Sequence, residues 1–203
     1  MQTHRIIAAF DLDGTLTHRD TMVAFIQYVV GKRKWFWGLL MQLPMIIGWK
    51  VFGILSRTKA KGRFLHYYFG KIPKSDLEKR AKAFVQSHKD IFKEDALARL
   101  QWHKNQGHTC VIVSASVDIW VAPLAKALGL PYLSSKAHFN GEKCVGLDGA
   151  NCRGQEKVNR LKAFIGEQPL DKTYAYGDTA GDRELIAWAD EGIWANKPLP
   201  RWE

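Results

Sequence analysis

Short apolar runs that end in acidic or hydroxyl-bearing residues recur along this chain, separated by stretches of helical periodicity. Ile6–Phe10 is apolar on both faces of an extended chain and leads directly into Asp11-Leu12-Asp13-Gly14-Thr15. Such a run predicts a strand buried on both sides, the pattern of a parallel sheet. Thr109–Val113 predicts a second strand, followed by Ser114-Ala115-Ser116, and Thr173–Tyr176 a third, followed by Gly177-Asp178. Gly192–Ala195 is a weaker fourth and Pro131–Leu133 a short fifth. Helical spacing marks Val117–Leu128, with Ile119, Trp120, Val121, Leu124 and Leu128 before Gly129. It recurs over Glu156–Ile165, which stops at Gly166, and over Asp182–Ala189. Strands alternating with helices imply βαβ units in an α/β fold with a mostly parallel sheet. His138–Gly146, centred on Asn140-Gly141, predicts a small β-hairpin.

The loop after the first strand and the loop after the second lie roughly a hundred residues apart, whereas a crossover needs only about a dozen. The excess predicts a helical cap over residues 20–93, inserted into a core made of 1–19 and 94–203. Its second part, Ser75–Leu100, carries Leu77, Ala81, Phe84, Val85, Phe92, Leu97 and Leu100 at helical spacings. Its first part contains Trp35–Leu55, an apolar stretch of membrane-span length in which only Lys50 is charged. Gln42, Pro44 and three glycines interrupt it, and one crossing would place strands of a single sheet on opposite sides of a bilayer. The stretch is therefore expected to dip into one leaflet or lie on its surface, or else to pack as cap helices against the core.

Charge sharpens this picture. The 203 residues are 46% hydrophobic and 25% charged, values of an ordinary globular chain rather than a disordered one. The net charge of +10 is confined to one place. From Thr21 to Ser75 there is no acidic residue, but there are Lys32, Arg33, Lys34, Lys50, Arg57, Lys59, Lys61, Arg63, Lys71 and Lys74. The rest of the chain is neutral. Segregation of this kind suits an anionic partner, and a membrane surface met through residues 32–63 fits the neighbouring apolar run. No nucleic-acid motif accompanies the charge, so no nucleic acid is expected as partner. Three cysteines without a CxxC pair, and an N-terminal apolar run too short for a signal peptide, point to a cytoplasmic chain, peripheral at the inner face of the membrane.

The candidate chemistry gathers where the apolar runs end. Asp11 and Asp13, Ser114, and Asp178 and Asp182 all follow predicted strands, and parallel strands share one carboxyl edge where ligands bind. Four carboxylates meeting there would repel unless a cation lay among them, and Mg²⁺ takes hard oxygen ligands of this kind. Lys157 stands near the start of a helix, an unfavourable place for a cation unless an anion faces it.

At DLDGT, VIVSAS, QEK and YGDTAGD the sequence resembles the haloacid dehalogenase superfamily of aspartyl phosphatases. The motifs occur in order from Asp11 to Asp182. The insert between the first two resembles the helical-cap branch that includes phosphoserine phosphatases. The apolar insert and the run CRGQEKVNRL are similar to the phosphatidylglycerophosphatase C group. The resemblance implies a Rossmann-like sheet with helices on both faces and Mg²⁺-dependent hydrolysis of a phosphomonoester. Asp11 would then be the nucleophile and Asp13 the general acid and base. Thr15, Ser114, the amide of Ala115 and Lys157 would serve the phosphate. The metal would be held by the Asp11 carboxylate, the Asp13 carbonyl and Asp178, with Asp182 holding metal-bound water or orienting Lys157. The substrate would be an anionic lipid phosphate such as phosphatidylglycerophosphate. A soluble phosphoserine- or histidinol-phosphate-type metabolite is the alternative, and a catalytically idle binding module a second one.

Overall fold

Alternate residues of the first strand, β1 (Ile6–Phe10), belong to two different cores. Ala8 and Phe10 join one apolar cluster and Ile7 and Ala9 the other, so the sheet is covered on both faces. The computed structural model describes residues 5–50 and 56–195, with the backbone alone at 49 and 50. The remaining strands are β2 (Thr109–Val117), β3 (Tyr132–Asn140), β4 (Lys143–Asp148), β5 (Lys172–Gly177) and β6 (Glu191–Trp194). Their order is β4-β3-β2-β1-β5-β6, parallel throughout except for the antiparallel β3–β4 hairpin. This is the α/β, Rossmann-like architecture that the alternation of runs predicts.

Eight helices surround the sheet among the described residues. Five precede β2: α1 (Thr21–Val30), α2 (Lys32–Lys50), α3 (Arg57–Phe69), α4 (Lys74–Ser87) and α5 (Glu94–Asn105). The others are α6 (Asp118–Leu128), α7 (Gln155–Ile165) and α8 (Arg183–Trp188). Phe25, Leu65, Phe69, Leu77, Phe84 and Trp120, from α1, α3, α4 and α6, fill the larger core beside Phe10 and Tyr176. Val158, Leu161, Ile165 and Leu185, from α7 and α8, close the opposite face.

Two expected elements differ. The second strand does not stop at Val113; it continues through Ser114 and Ser116 to Val117, with its pairing to β3 shifted between Ser114 and Val117. The hydroxyls do not end it because both are satisfied inside: Ser114 Oγ accepts from the Ser116 amide, and Ser116 Oγ donates to Asp13. Ser75–Leu100 is not one helix. The Ser87 hydroxyl donates back to the carbonyls of Ala83 and Phe84, α4 ends, and a single 3₁₀ turn (Lys89–Ile91) follows. Residues 91–93 are then drawn out against the first loop, where His18 N donates to Ile91 O and Lys93 N to Leu16 O, both at 2.9 Å. Backbone pairing to that loop outweighs the helical spacing of the apolar side chains.

The helices before β2 are pinned onto the hairpin. His66 Nδ1 bonds to Cys144 O at 2.8 Å, and Lys74 N donates to Glu142 O at 2.9 Å. Beyond the His66–Cys144 contact Gly62 of α3 lies against Gly146 of β4, and a Cβ on Gly62 would stand 3.3 Å from the Leu147 nitrogen.

α2 turns its small and polar residues inward. Gly38 lies under the rings of Tyr67 and Tyr68, and Gln42 is only 7% exposed. Phe36, Trp37 and Met41 are 51%, 65% and 73% exposed, with Leu40, Leu43 and Ile47 also outward. Residues 51–55 of the apolar stretch lie outside the described residues. Among the described residues no helix is long and apolar enough to cross a membrane.

The Gly62–Gly146 approach leaves no room for a large side chain. Gly62→Leu is expected to destabilise the fold by about 1–3 kcal/mol through overpacking. The check is the urea midpoint, which should fall at unchanged m-value; an unchanged midpoint would show that α3 does not rest on the hairpin.

Candidate active site

Parallel register brings three loops to one edge. Phe10 pairs with Ile112 on one side and Tyr176 on the other, so the chain beyond each strand emerges at the same level. Asp11 N then donates to Tyr176 O at 2.8 Å, which fixes the first residue of its loop. Gly14 turns the loop with φ +79°, and its lack of a side chain is what admits the Asp178 carboxylate beside it. Gly177 similarly leaves space for Asp182. Lys93 Nζ donates to the Gly14 carbonyl and steadies the turn from below.

Lys157 is the centre of the arrangement. It stands in the first turn of α7, after Gly154, and is 1% exposed. Its ammonium donates to Asp11 Oδ1 and, at 2.5 Å, to Asp182 Oδ1, and both carboxylates are buried. Asp182 is held in turn: its Oδ2 accepts from Thr179 Oγ1 at 2.9 Å, Thr179 N at 3.0 Å and Asp178 N at 3.3 Å. Asp178 is half-buried next to it, and Thr15 Oγ1 approaches Asp178 Oδ1 at 3.5 Å.

Asp13 faces a different set of groups. Its Oδ1 accepts from Thr21 N at 2.6 Å and its Oδ2 from Ser116 Oγ at 2.5 Å. The structure thus brings Asp11, Asp178 and Asp182 together around Lys157, with carboxylate oxygens within 4.8 Å of one another, and places the Asp13 side chain outside that cluster. Ser114 is fully buried at the bend of β2, and Ala115 follows it. Thr21, Ser116 and Lys93 were not singled out from sequence. Ser116 stands inside the VIVSAS run, whereas nothing local in the chain marks Thr21 or Lys93.

The electrostatics follow from three carboxylates sharing one buried ammonium. Burial raises the Asp11 carboxyl to about 7 although Lys157 opposes the shift, and the charges of Asp182 and Asp13 add to it. Burial also raises Asp178, with Asp182 the next contributor. Burial pushes Asp182 upward too, but Lys157 and the Thr179 hydrogen bonds outweigh it and hold its carboxyl below the usual range. Desolvation works against the Lys157 charge, and the two partner carboxylates overcome it and raise its pKa. One ammonium leaves negative charge over. The hard oxygen donors of Asp11 and Asp178 therefore fit Mg²⁺.

This fold and this edge define an α/β protein whose aspartates converge at the carboxyl ends of a parallel sheet around one buried lysine. The chain belongs to the haloacid dehalogenase-like hydrolase family, whose model matches residues 8–187. Protein CicA of Caulobacter vibrioides is 37% identical over 190 residues, covering 92% of this chain and 84% of that protein. A solved protein of unknown function from Bordetella pertussis Tohama I shares the fold at 20% identity and a TM-score of 0.76, covering 92% of this chain and 88% of that one. A structure described as a phospho-aspartyl intermediate analogue of phosphoserine phosphatase matches at 22% identity and a TM-score of 0.61, covering 92% and 84%.

The raised carboxyls predict a pH-dependent Mg²⁺ affinity. At pH 5.5 a group titrating near 7 is mostly protonated, and a cation must displace that proton; at pH 7.5 it is mostly ionised. Calorimetric titration should therefore show binding roughly tenfold tighter or more at pH 7.5 than at 5.5, with proton release at the lower pH. Equal affinity at both would show that burial does not keep the Asp11 carboxyl protonated at pH 5.5.

Proposed function

We propose that this hydrolase is a Mg²⁺-dependent phosphomonoesterase that works through an aspartyl phosphate on Asp11 and acts on an anionic lipid phosphate of the phosphatidylglycerophosphate type. The observation that carries the reading is the buried Asp11–Lys157–Asp182 bridge with Asp178 beside it, at the carboxyl edge of the sheet. Ser114 Oγ, the Ala115 amide and Lys157 bind the phosphoryl oxygens, and Thr15 supports the loop through Asp178. Lys157 offsets the charge that opposes approach of one anion to another. An Asp11 oxygen forms the new bond to phosphorus as the ester P–O bond breaks, and Asp13 gives its proton to the departing alkoxide. Asp13 then takes a proton from a water that attacks the phosphorus, which frees Asp11 and releases phosphate. The carboxylates of Asp11 and Asp178 and the Asp13 carbonyl are the metal ligands, and Asp182 keeps Lys157 in place. Bound there, Mg²⁺ supplies further charge neutralisation at the phosphoryl oxygens. Residues 20–93 act as the cap over the core of 1–19 and 94–203.

Two observations support the lipid substrate. The outward face of α2 is aromatic and aliphatic, with a buried glutamine and glycine on its inner side, the reverse of a helix made to face water. Lys32, Arg33 and Lys34 are exposed at its N-terminal end, where the helix dipole disfavours cations unless anions lie nearby. An anionic leaflet answers both, because aromatic residues and lysines favour that boundary. The three cysteines are buried free thiols, in keeping with the cytoplasmic side.

Phosphate release from a panel of lipid and soluble phosphomonoesters, with Mg²⁺ and with EDTA, tests the chemistry. Asp11→Asn should abolish turnover with the fold retained, and Asp13→Asn should slow it by about 10² to 10⁴. Wild-type turnover in either variant would remove the aspartyl-phosphate assignment. Membrane contact is tested by replacing Lys32, Arg33 and Lys34 with glutamine. Binding to phosphatidylglycerol vesicles should weaken by about 1 kcal/mol per charge and become less salt-dependent. Lipid-phosphate turnover should fall far more than turnover of p-nitrophenyl phosphate, and an equal fall would mean that α2 serves the cap alone.

A further inference from the structure

Asp13 stands two residues after Asp11, yet its carboxylate takes no place among the aspartates gathered around Lys157. Its two oxygens are already engaged, Oδ1 by the Thr21 amide at 2.6 Å and Oδ2 by the Ser116 hydroxyl at 2.5 Å. Neither donor belongs to the loop that carries Asp13. Thr21 is the first residue of α1, and Ser116 lies in the stretch of β2 where the pairing to β3 shifts. The Ser116 amide donates to Ser114 Oγ at 3.0 Å, which holds the shifted segment.

A chain of donors stands behind the Ser116 hydroxyl. Trp120 Nε1 lies 2.9 Å from Thr21 Oγ1, and Thr21 Oγ1 lies 3.3 Å from Ser116 Oγ. An indole nitrogen can only donate, so Thr21 Oγ1 accepts from Trp120 and keeps its own proton to give. An ionised carboxylate can only accept, so the Ser116 proton goes to Asp13 and the Ser116 oxygen is left to accept from Thr21. The direction of all three bonds is therefore fixed, from Trp120 through Thr21 and Ser116 to Asp13. Each donor in such a chain polarises the next, the more so away from water. Thr21 and Trp120 are fully buried and Ser116 nearly so. The Trp120 ring is wedged against Phe25 and Phe69, with ring centroids at 5.3 and 6.4 Å. To cap the start of α1, Asp13 would need only the Thr21 amide, and Asp20 already caps that helix through Val23 N. The hydroxyls and the indole serve the second oxygen alone.

We propose that Ser116, Thr21 and Trp120 are positioning residues for proton transfer: together they hold the Asp13 carboxyl apart from the aspartate cluster, in the place from which it serves the ester oxygen. The inference rests on the phosphomonoesterase reading and deepens it, since it adds residues of α1 and α6 to the step in which the alcohol departs. They act through Asp13 rather than on the ester. α1 opens the helical insert and α6 follows β2, so the aim of the acid depends on both helices being seated together.

The experiment follows kcat/KM, which reports the steps up to formation of the aspartyl phosphate, over p-nitrophenyl, phenyl and benzyl phosphate. The basicity of the departing oxygen rises along this series, and with it the need for a proton from Asp13. Asp13→Asn should lose most with benzyl phosphate and least with p-nitrophenyl phosphate. Ser116→Ala should show the same trend, reaching a loss of about 10- to 100-fold with benzyl phosphate, and Ser116→Thr should restore most of it. Thr21→Val keeps the amide and removes the hydroxyl, so it should give a smaller loss with the same trend. In the Asp13→Asn background Ser116→Ala should cost nothing further, since an acid that is absent cannot be misaimed. An equal loss with all three esters, no loss at all, or a full additional loss in the Asp13→Asn background would make the chain a structural brace between α1 and β2 and overturn the proposal. If Ser116→Ala does not fold, Thr21→Val decides by the same criterion. An Asp13→Asn loss equal for all three esters would instead remove Asp13 as the acid. Absence of wild-type turnover with all of them would remove the phosphomonoesterase reading, and the positioning role falls with either.

Discussion

A lysine buried between two aspartates is the constraint on which the rest of this structure depends. Lys157 can stay charged at 1% exposure only if Asp11 and Asp182 remain within contact, and removing one partner of such a bridge typically costs about 3–5 kcal/mol. That requirement couples three distant parts of the chain: the end of β1, the start of α7 and the loop after β5. Asp182 passes the constraint on, because its second oxygen gathers Thr179 and the Asp178 amide. Gly14 and Gly177 meet the same demand from the other side, by leaving space where any side chain would strike Asp178 or Asp182.

The helices between β1 and β2 share the larger apolar core with the sheet, and several short polar connections join them to this centre as well. Residues 91–93 pair with 16–18 at its end, and Asp13 accepts from Thr21 at its beginning. Between these, α3 rests on β4 and Lys61 reaches the carbonyl next to Ser114. Each connection ends on a loop beside the aspartate cluster, on β2 or on the hairpin that extends β3. A movement of these helices would therefore be felt at the carboxylates.

α2 belongs to a different regime. Its inner face is closed by Gly38 under two tyrosine rings and by the Tyr68 hydroxyl on the Trp35 carbonyl at 2.8 Å. Its outer face presents Phe36, Trp37 and Met41, which in water contribute no burial to the fold. The helix is thus held through Trp35, Gly38 and Gln42, and it leaves several large apolar side chains uncovered.

Much of the architecture was legible in the chain because it depends on local pattern. The five apolar runs mark strands of the sheet, the Asn140-Gly141 turn marks the hairpin, and the spacing around Val158 and Leu161 marks α7, since side-chain periodicity is fixed by backbone geometry. The family and the aspartates at the strand ends were legible for a similar reason: parallel strands bring their carboxyl ends to one edge whatever else surrounds them. Tertiary contact decided the rest. Ser114 and Ser116 remain in β2 because Asp13 and a backbone amide satisfy their hydroxyls, and Ser75–Leu100 is divided because residues 91–93 find backbone partners in the first loop. Lys61 shows the limit most clearly. In the sequence it is one of ten cations in an acid-free stretch, and only the packing of Gly62 on Gly146 separates it from the others and brings it to the Ala115 carbonyl.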